Sequence, residues 1–363
     1  MCGELLTTSR GMVNTRIRYF DVAKGLAILC VILSHSAIEA QSVAPSHIAN
    51  TIISVCFSFH MPLFFILSGY FMHPERDFRW AKEAKQLLCT YLLTSAAVLL
   101  GVTCVATIDH GTRKDVLRQW GDAVLYGSGD ISDLTLWPVQ LRIGAIWFLL
   151  SLFWAHLLLH IFARLPYTPV WIVLSFAIGY VSARHVWLPW SFQAGMCAVA
   201  FLHIGYLAKQ IDLIDLMERF PWLWGIAAVI WLVSIIWFDG LSMAMNDYGA
   251  HPLLAVVGSL AGTLCIIGLS KLADWLPGVG TVLSCAGRSS LAILCVHLVE
   301  DDVLPWRMYL DSLHNAISQV PLAVTCFVVR LPIDLVFAAL LYVIPMVNEW
   351  FYPQLSKRRR VSA

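Results

Sequence analysis

Lys24 and His35 stand eleven residues apart on one apolar stretch, and Glu39 follows the histidine by four. In a helix, eleven residues rise about 16 Å, roughly half the hydrocarbon thickness of a bilayer. One segment would then hold a cation near one membrane face and a titratable imidazole deep toward the other. Glu39, about one turn beyond His35, shares its face. A carboxylate there would fix the imidazole tautomer and raise its basicity, as in a general base with an orienting acid. A passive anchor needs neither group. Two further imidazoles, His60 and His297, fall on the same leaflet in later apolar stretches, Trp147 opens another, and Glu300, Asp301 and Asp302 follow His297 closely. At the opposite end, Arg18, Asp21 and Lys24 open the first stretch, and Arg288, Ser289 and Ser290 open a later one. Cationic side chains at helix mouths suit capture of a phosphorylated ligand.

Other polar groups have plainer readings. His47, His73, His110, His160, His185, His251 and His314 read as hydrogen-bonded interfacial residues, whereas His156 and His203 lie deeper and need polar neighbours. The cluster Arg76, Arg79, Lys82 and Lys85 reads as headgroup contact that sets topology. Arg330 and Asp334, four apart in the last apolar stretch, read as an ion pair facing the interior. The ten cysteines are scattered, mostly within apolar runs, with no CxxC or Cys/His spacing. They read as packing residues, and no metal site is inferred.

The elements that must position these groups are membrane helices. The 363-residue chain is 59% hydrophobic and 13% charged, with a mean hydropathy of +0.74, against about 25% charged residues in soluble domains. A net charge of +1 gives no reason to expect a nucleic-acid partner. Apolar windows of about 20 residues fall at 20–38, 52–72, 87–106, 143–163, 168–184, 191–209, 221–238, 252–270, 281–299 and 319–346. The expected fold is all-α, a polytopic bundle of about ten transmembrane helices. The first window is read as a retained span and not as a signal peptide, because Glu39 follows closely, no A-x-A site is present and many spans come after it. The last holds Pro332 and Pro345, which predicts a tilt or kink. With ten spans and both termini cytoplasmic, the inner segments hold most of the Lys and Arg residues, including the Lys357–Arg360 cluster. The outer ones keep only Arg113, Lys114, Arg118, Arg142, Arg184 and Arg307, the asymmetry that sets orientation. The long outer connection 107–142, with Gly127-Ser-Gly-Asp130, points to a substrate bound on the outer side.

Four segments resemble a known family, the integral-membrane acyltransferases of the acyltransferase-3 type, and especially the branch related to fucose 4-O-acetylase. They are Arg18-Tyr-Phe-Asp21-Val-Ala-Lys24-Gly25 with His35, Phe59-His60-Met61-Pro62-Leu63-Phe64-Phe65 running on to Ile66-Leu67-Ser68-Gly69-Tyr70-Phe71, Ile146-Trp147-Phe148-Leu149, and Gly287-Arg288-Ser289-Ser290-Leu291 with His297. They fall in the family's order. Lys24 stands where many relatives carry arginine, which keeps the charge and loses the bidentate fork.

The resemblance implies a stand-alone transferase in a bacterial inner membrane. Residues 1–352 would form one membrane domain, and 353–363 a basic cytoplasmic tail. It would move an acetyl group from cytosolic acetyl-CoA, its donor substrate, to a hydroxyl of a cell-envelope or exported glycan, free or lipid-linked, with no bound cofactor. The partners are then acetyl-CoA, the saccharide and the lipid bilayer; self-association is left open. Arg18, Asp21, Lys24 and Arg288 would meet the donor. His35 would act as base with Glu39 orienting it, or carry the acyl group itself. His60, Trp147, Ser289 and His297 would serve the acceptor or the tetrahedral oxyanion. The rival from another class is a glycan-precursor transporter with the histidines as a proton relay.

Overall fold

The computed structural model describes residues 17–108, 112–316, 321–345 and 347–352. Arg10, Arg16, His110 and the whole 353–363 tail with its Lys357–Arg360 cluster lie outside them. Among the described residues, helices are joined by loops that hold only isolated bridges. Helices α1 (Arg18–Val43), α2 (His47–Phe57) and α3 (His60–Tyr70) lead to α4 (Trp80–Glu83), which passes through a π-helical turn at Ala84–Leu88 into α5 (Cys89–Ile108). Then come α6 (Arg113–Tyr126), α7 (Trp147–Phe162), α8 (Thr168–Ser182), α9 (Phe192–Gln210), α10 (Leu213–Arg219) and α11 (Trp222–Ile236). The chain closes with α12 (Pro252–Trp275), α13 (Val279–Arg288), α14 (Ser290–Val303), α15 (Trp306–Ala316), α16 (Leu322–Val343) and α17 (Asn348–Phe351).

Among the described residues, six segments are long and apolar enough to cross a bilayer: Arg18–Val43, His47–Tyr70, Trp80–Ile108, Gly144–Phe162, Pro252–Trp275 and Leu322–Val343. The total reaches eight if the bent pairs α9–α10 (60°) and α13–α14 (70°) each count as one span. Helices α8 and α11 are apolar, but at 15 residues each they are shorter than the roughly 20 residues an untilted span requires. The sequence windows thus all meet helices, while length alone supports six to eight crossings and not ten. Leu100 on α5, Val173 and Ile178 on α8, Val229 and Ile236 on α11, and Val336 and Phe337 on α16 are exposed. Such a belt around the bundle suits lipid and not water. The chain is a multi-pass membrane protein. Pro332 sits inside α16 without ending it, and Pro345 falls beyond its last turn.

Helix α1 is the hub. It packs most extensively on α13, and also touches α16, α2, α12 and α3. The contact with α13 is a backbone-on-backbone approach. A Cβ on Gly25 would strike the Leu283 carbonyl, and one on Gly287 would strike the Asp21 carbonyl. Small residues are the usual means of bringing membrane helices this close. Immediately after Gly287 the chain bends by 70° around Ser289 into α14, so the Gly-Arg-Ser-Ser segment is the corner that aims His297 toward α1. Helix α3 is clamped to α9 in the same manner, Gly69 lying on Leu202 and Gly205 on Ile66.

The 107–142 connection is not a plain loop, because α6 occupies residues 113–126 and ends at Gly127 with φ +70°. A second connection, 239–251, folds back onto α8 and α9. Asn246 takes the left-handed conformation that asparagine tolerates and donates its amide to the carbonyls of Gly179 (3.1 Å) and Gln193 (2.8 Å). Tyr248 is fully buried beside Phe176 and Tyr180, and burial pushes its phenol well above the ordinary range, so it packs as a neutral ring.

Candidate active site

Two cavities enter the bundle from opposite ends of α1. The one at the His35 end has a volume of about 270 Å³ and is lined by His35, Glu39, His60, Trp147, Arg142 and Asp301, among others. Its remaining walls include Gly129 and Asp130 after α6 and residues 241–244 of the second connection.

The nearest acidic partner of His35 is not Glu39. Its Nδ1 lies 3.9 Å from Oδ2 of Asp301, and no His35–Glu39 ion pair occurs among the described residues. Glu39 lies on the same helix face and in the same cavity wall, but α14 delivers a carboxylate from across the bundle. Arg142 approaches the same Asp301 oxygen at 3.7 Å. Asp301 is in turn held by Arg330, whose Nη2 donates to Asp301 Oδ1 and, at 2.5 Å, to Glu300 Oε1. The Arg330 Nε adds a second bond to Glu300 at 2.7 Å. Trp306 donates Nε1 to the other oxygen of Glu300 at 2.5 Å. Arg330 therefore pairs with α14, and the expected pairing with Asp334 is replaced. Asp334 accepts a hydrogen bond from Nδ1 of His297 at 3.0 Å.

His297 itself is fully buried and does not line the cavity. Its ring centre lies 5.1 Å from that of His35, so it backs the cavity imidazole. His60 does line the cavity, with Nδ1 2.5 Å from the Cys56 carbonyl. A carbonyl only accepts, so Nδ1 carries the proton and Nε2 keeps a lone pair. His35–His297–Asp301 and His297–Glu300–Asp334 each bring possible ligand atoms within 4.8 Å of one another. Arg330 hydrogen-bonds both Glu300 and Asp301, and His297 Nδ1 meets both Glu300 and Asp334, so these groups already engage one another.

The cavity at the Lys24 end is larger, about 580 Å³, and is lined by Asp21, Lys24, Arg76, Arg79, Lys82 and Arg288, among others. The 76–85 cluster read from sequence as headgroup contacts thus supplies three cations to a concave wall. Arg18 does not reach it. That side chain is half exposed and pairs with Asp274 (3.0 Å) and Thr281 (3.0 Å). Ser289 lies at the bend beside Arg288, at the Lys24 end, and is not brought to His60 and Trp147.

A layer of rings stands between the cavities. Trp147 lines one and its neighbour Phe148 the other, across a Cα step of about 3.8 Å. Phe65 packs on both, with ring centres 6.2 and 4.8 Å away, and Phe64 lies 5.9 Å from Phe148. The bundle therefore offers a cationic chamber, an aromatic partition and an imidazole chamber in series along α1.

Against known proteins, the sequence matches the acyltransferase-3 family model, described as an acyltransferase domain, over residues 17–342. The chain belongs to the acyltransferase-3 family. No curated protein and no solved structure matches it. For an acyltransferase-3 protein the two chambers have an immediate reading, since group transfer needs one place for a donor and another for an acceptor.

Proposed function

We propose that this protein is a membrane O-acyltransferase that moves an acetyl group from cytosolic acetyl-CoA to a hydroxyl of a cell-envelope or exported glycan, with His35 as general base. The observation that carries the reading is that one helix, α1, contributes Lys24 to the wall of one chamber and His35 to the wall of the other. In this reading the Lys24 end faces the cytosol of a bacterial inner membrane. The anionic part of the donor sits among Lys24, Arg76, Arg79 and Arg288, and its thioester passes between Phe64 and Phe148.

The chemistry at the His35 chamber is a single displacement. His35 takes the proton of the acceptor hydroxyl as its oxygen attacks the thioester carbonyl. The tetrahedral oxyanion forms near Arg142, where fixed positive charge lowers its energy. The C–S bond then breaks, and the leaving thiolate takes the proton back from His35. Asp301 favours the protonated imidazole that forms in between, while Arg330 keeps Asp301 in place.

The test supplies purified protein with acetyl-CoA labelled in the acetyl group and an envelope-glycan extract. Label in the glycan together with free CoA is the expected result. Intact acetyl-CoA in the presence of a competent acceptor would remove this reading and favour movement of the glycan without chemistry.

A further inference from the structure

The donor-side chamber contains a second constellation that general-base catalysis by His35 does not use. His156 on α7 lies with Nε2 2.8 Å from the Ser68 hydroxyl and Nδ1 2.9 Å from Oε2 of Glu83. All three side chains line the 580 Å³ cavity. They come from three elements, α3, the end of α4 and α7, and neither sequence spacing nor a shared helix face brings them together. A carboxylate only accepts, so the Glu83 contact puts the His156 proton on Nδ1 and leaves Nε2 to receive the Ser68 hydroxyl proton. That is the order of a nucleophile, a base and an orienting acid, recognised by geometry wherever it occurs. The backbone enforces it. The Gly69–Leu202 and Gly205–Ile66 contacts press α3 onto α9, which turns the adjacent Ser68 toward α7. The π-helical turn after Glu83 lies in the same wall, contributing Leu87, and such turns recur at functional sites. Lys24, Arg79 and Lys82 in that wall give a developing oxyanion a positive field.

We infer that Ser68, His156 and Glu83 form a serine-nucleophile centre that takes an acyl group from a thioester on the donor side. His156 Nε2 removes the Ser68 proton, Oγ attacks the thioester carbonyl, and the C–S bond breaks to give acyl-Ser68. The thiolate is protonated by His156, and water or another hydroxyl later releases the acyl group as the acid or ester. Glu83 acts as a positioning residue. The choice of thioester rests on the donor proposed above; the reactivity of Ser68 does not.

A fluorophosphonate probe separates the two. Its phosphorus is attacked by an activated serine with loss of fluoride, and no acyl donor is needed. Peptide mass spectrometry of the labelled wild-type protein is expected to locate the adduct on Ser68. Labelling disappears in Ser68→Ala and slows about a hundredfold or more in His156→Gln, the scale of a lost general base. Glu83→Gln lowers the limiting labelling rate while leaving half-saturation by the probe unchanged, which a loosened fold would not do. Absence of an adduct on Ser68 in folded wild-type protein overturns the inference, even if acetyl-CoA is still consumed. An adduct on Ser68 without consumption of acetyl-CoA would uphold the centre and sink only the donor assignment.

Discussion

At the scale of single residues, the proposed acyl transfer to glycan centres on His35 and on the carboxylate beside it. The apolar setting of Lys24 and His35 made that pair legible in the sequence, because two ionisable groups in one membrane segment are costly unless used. Their partner was not legible. Glu39 satisfied the helical spacing, but Asp301 comes from a segment more than 260 residues away, and only the bend at Ser289 brings it there. The Ser68–His156–Glu83 contacts were hidden for the same reason. His35→Ala should lower the transfer rate about a hundredfold or more with an unchanged melting profile in detergent. A near-normal rate would remove His35 from the reaction. Arg330 is buried between Glu300 and Asp301, so Arg330→Leu strands two carboxylates and should destabilise the fold by about 3–5 kcal/mol, read as a lowered unfolding midpoint.

At the scale of elements, the decisive contact is α1 against α13. It lets Asp21 and Lys24 share a chamber with Arg288 and sends α14 across to His35. Sequence windows located both helices, yet the glycines that set their separation carry no periodic signal of their own. Gly287→Val should therefore lower both the melting temperature and the rate, at a cost of about 1–3 kcal/mol or more from overpacking. At Gly225 an added Cβ meets nothing within 4 Å. Gly225→Ala should leave the melting temperature unchanged or slightly raised. Equal effects at the two positions would show that the α1–α13 approach is not critical. The windows 221–238 and 252–270 bracket the connection 239–251 but say nothing of its fold. Its role in walling the His35 chamber depends on Asn246 and Tyr248 docking on α8 and α9, a tertiary event that loop composition does not announce.

At the scale of the whole molecule, a cationic chamber and an imidazole chamber lie at opposite ends of one bundle, divided by Phe64, Phe65, Trp147 and Phe148. The membrane character and helical class were plain from hydropathy, whereas the two chambers arise only when distant helices meet. Donor contacts made equally before and during reaction affect KM alone. Arg288→Ala should thus raise the KM for acetyl-CoA about tenfold or more, the value of a charge-assisted hydrogen bond, with little change in kcat. A fall in kcat at constant KM would place Arg288 at the reacting atoms instead. The most direct test of two-ended transfer uses sealed proteoliposomes with resolved protein orientation, labelled acetyl-CoA on one side and glycan acceptor on the other. Acetylated glycan should form only when acetyl-CoA is presented to the Lys24 end and acceptor to the His35 end, and the His35→Ala protein should form it about a hundredfold more slowly or worse. Equal product in both orientations, or unchanged product from His35→Ala, would contradict the arrangement.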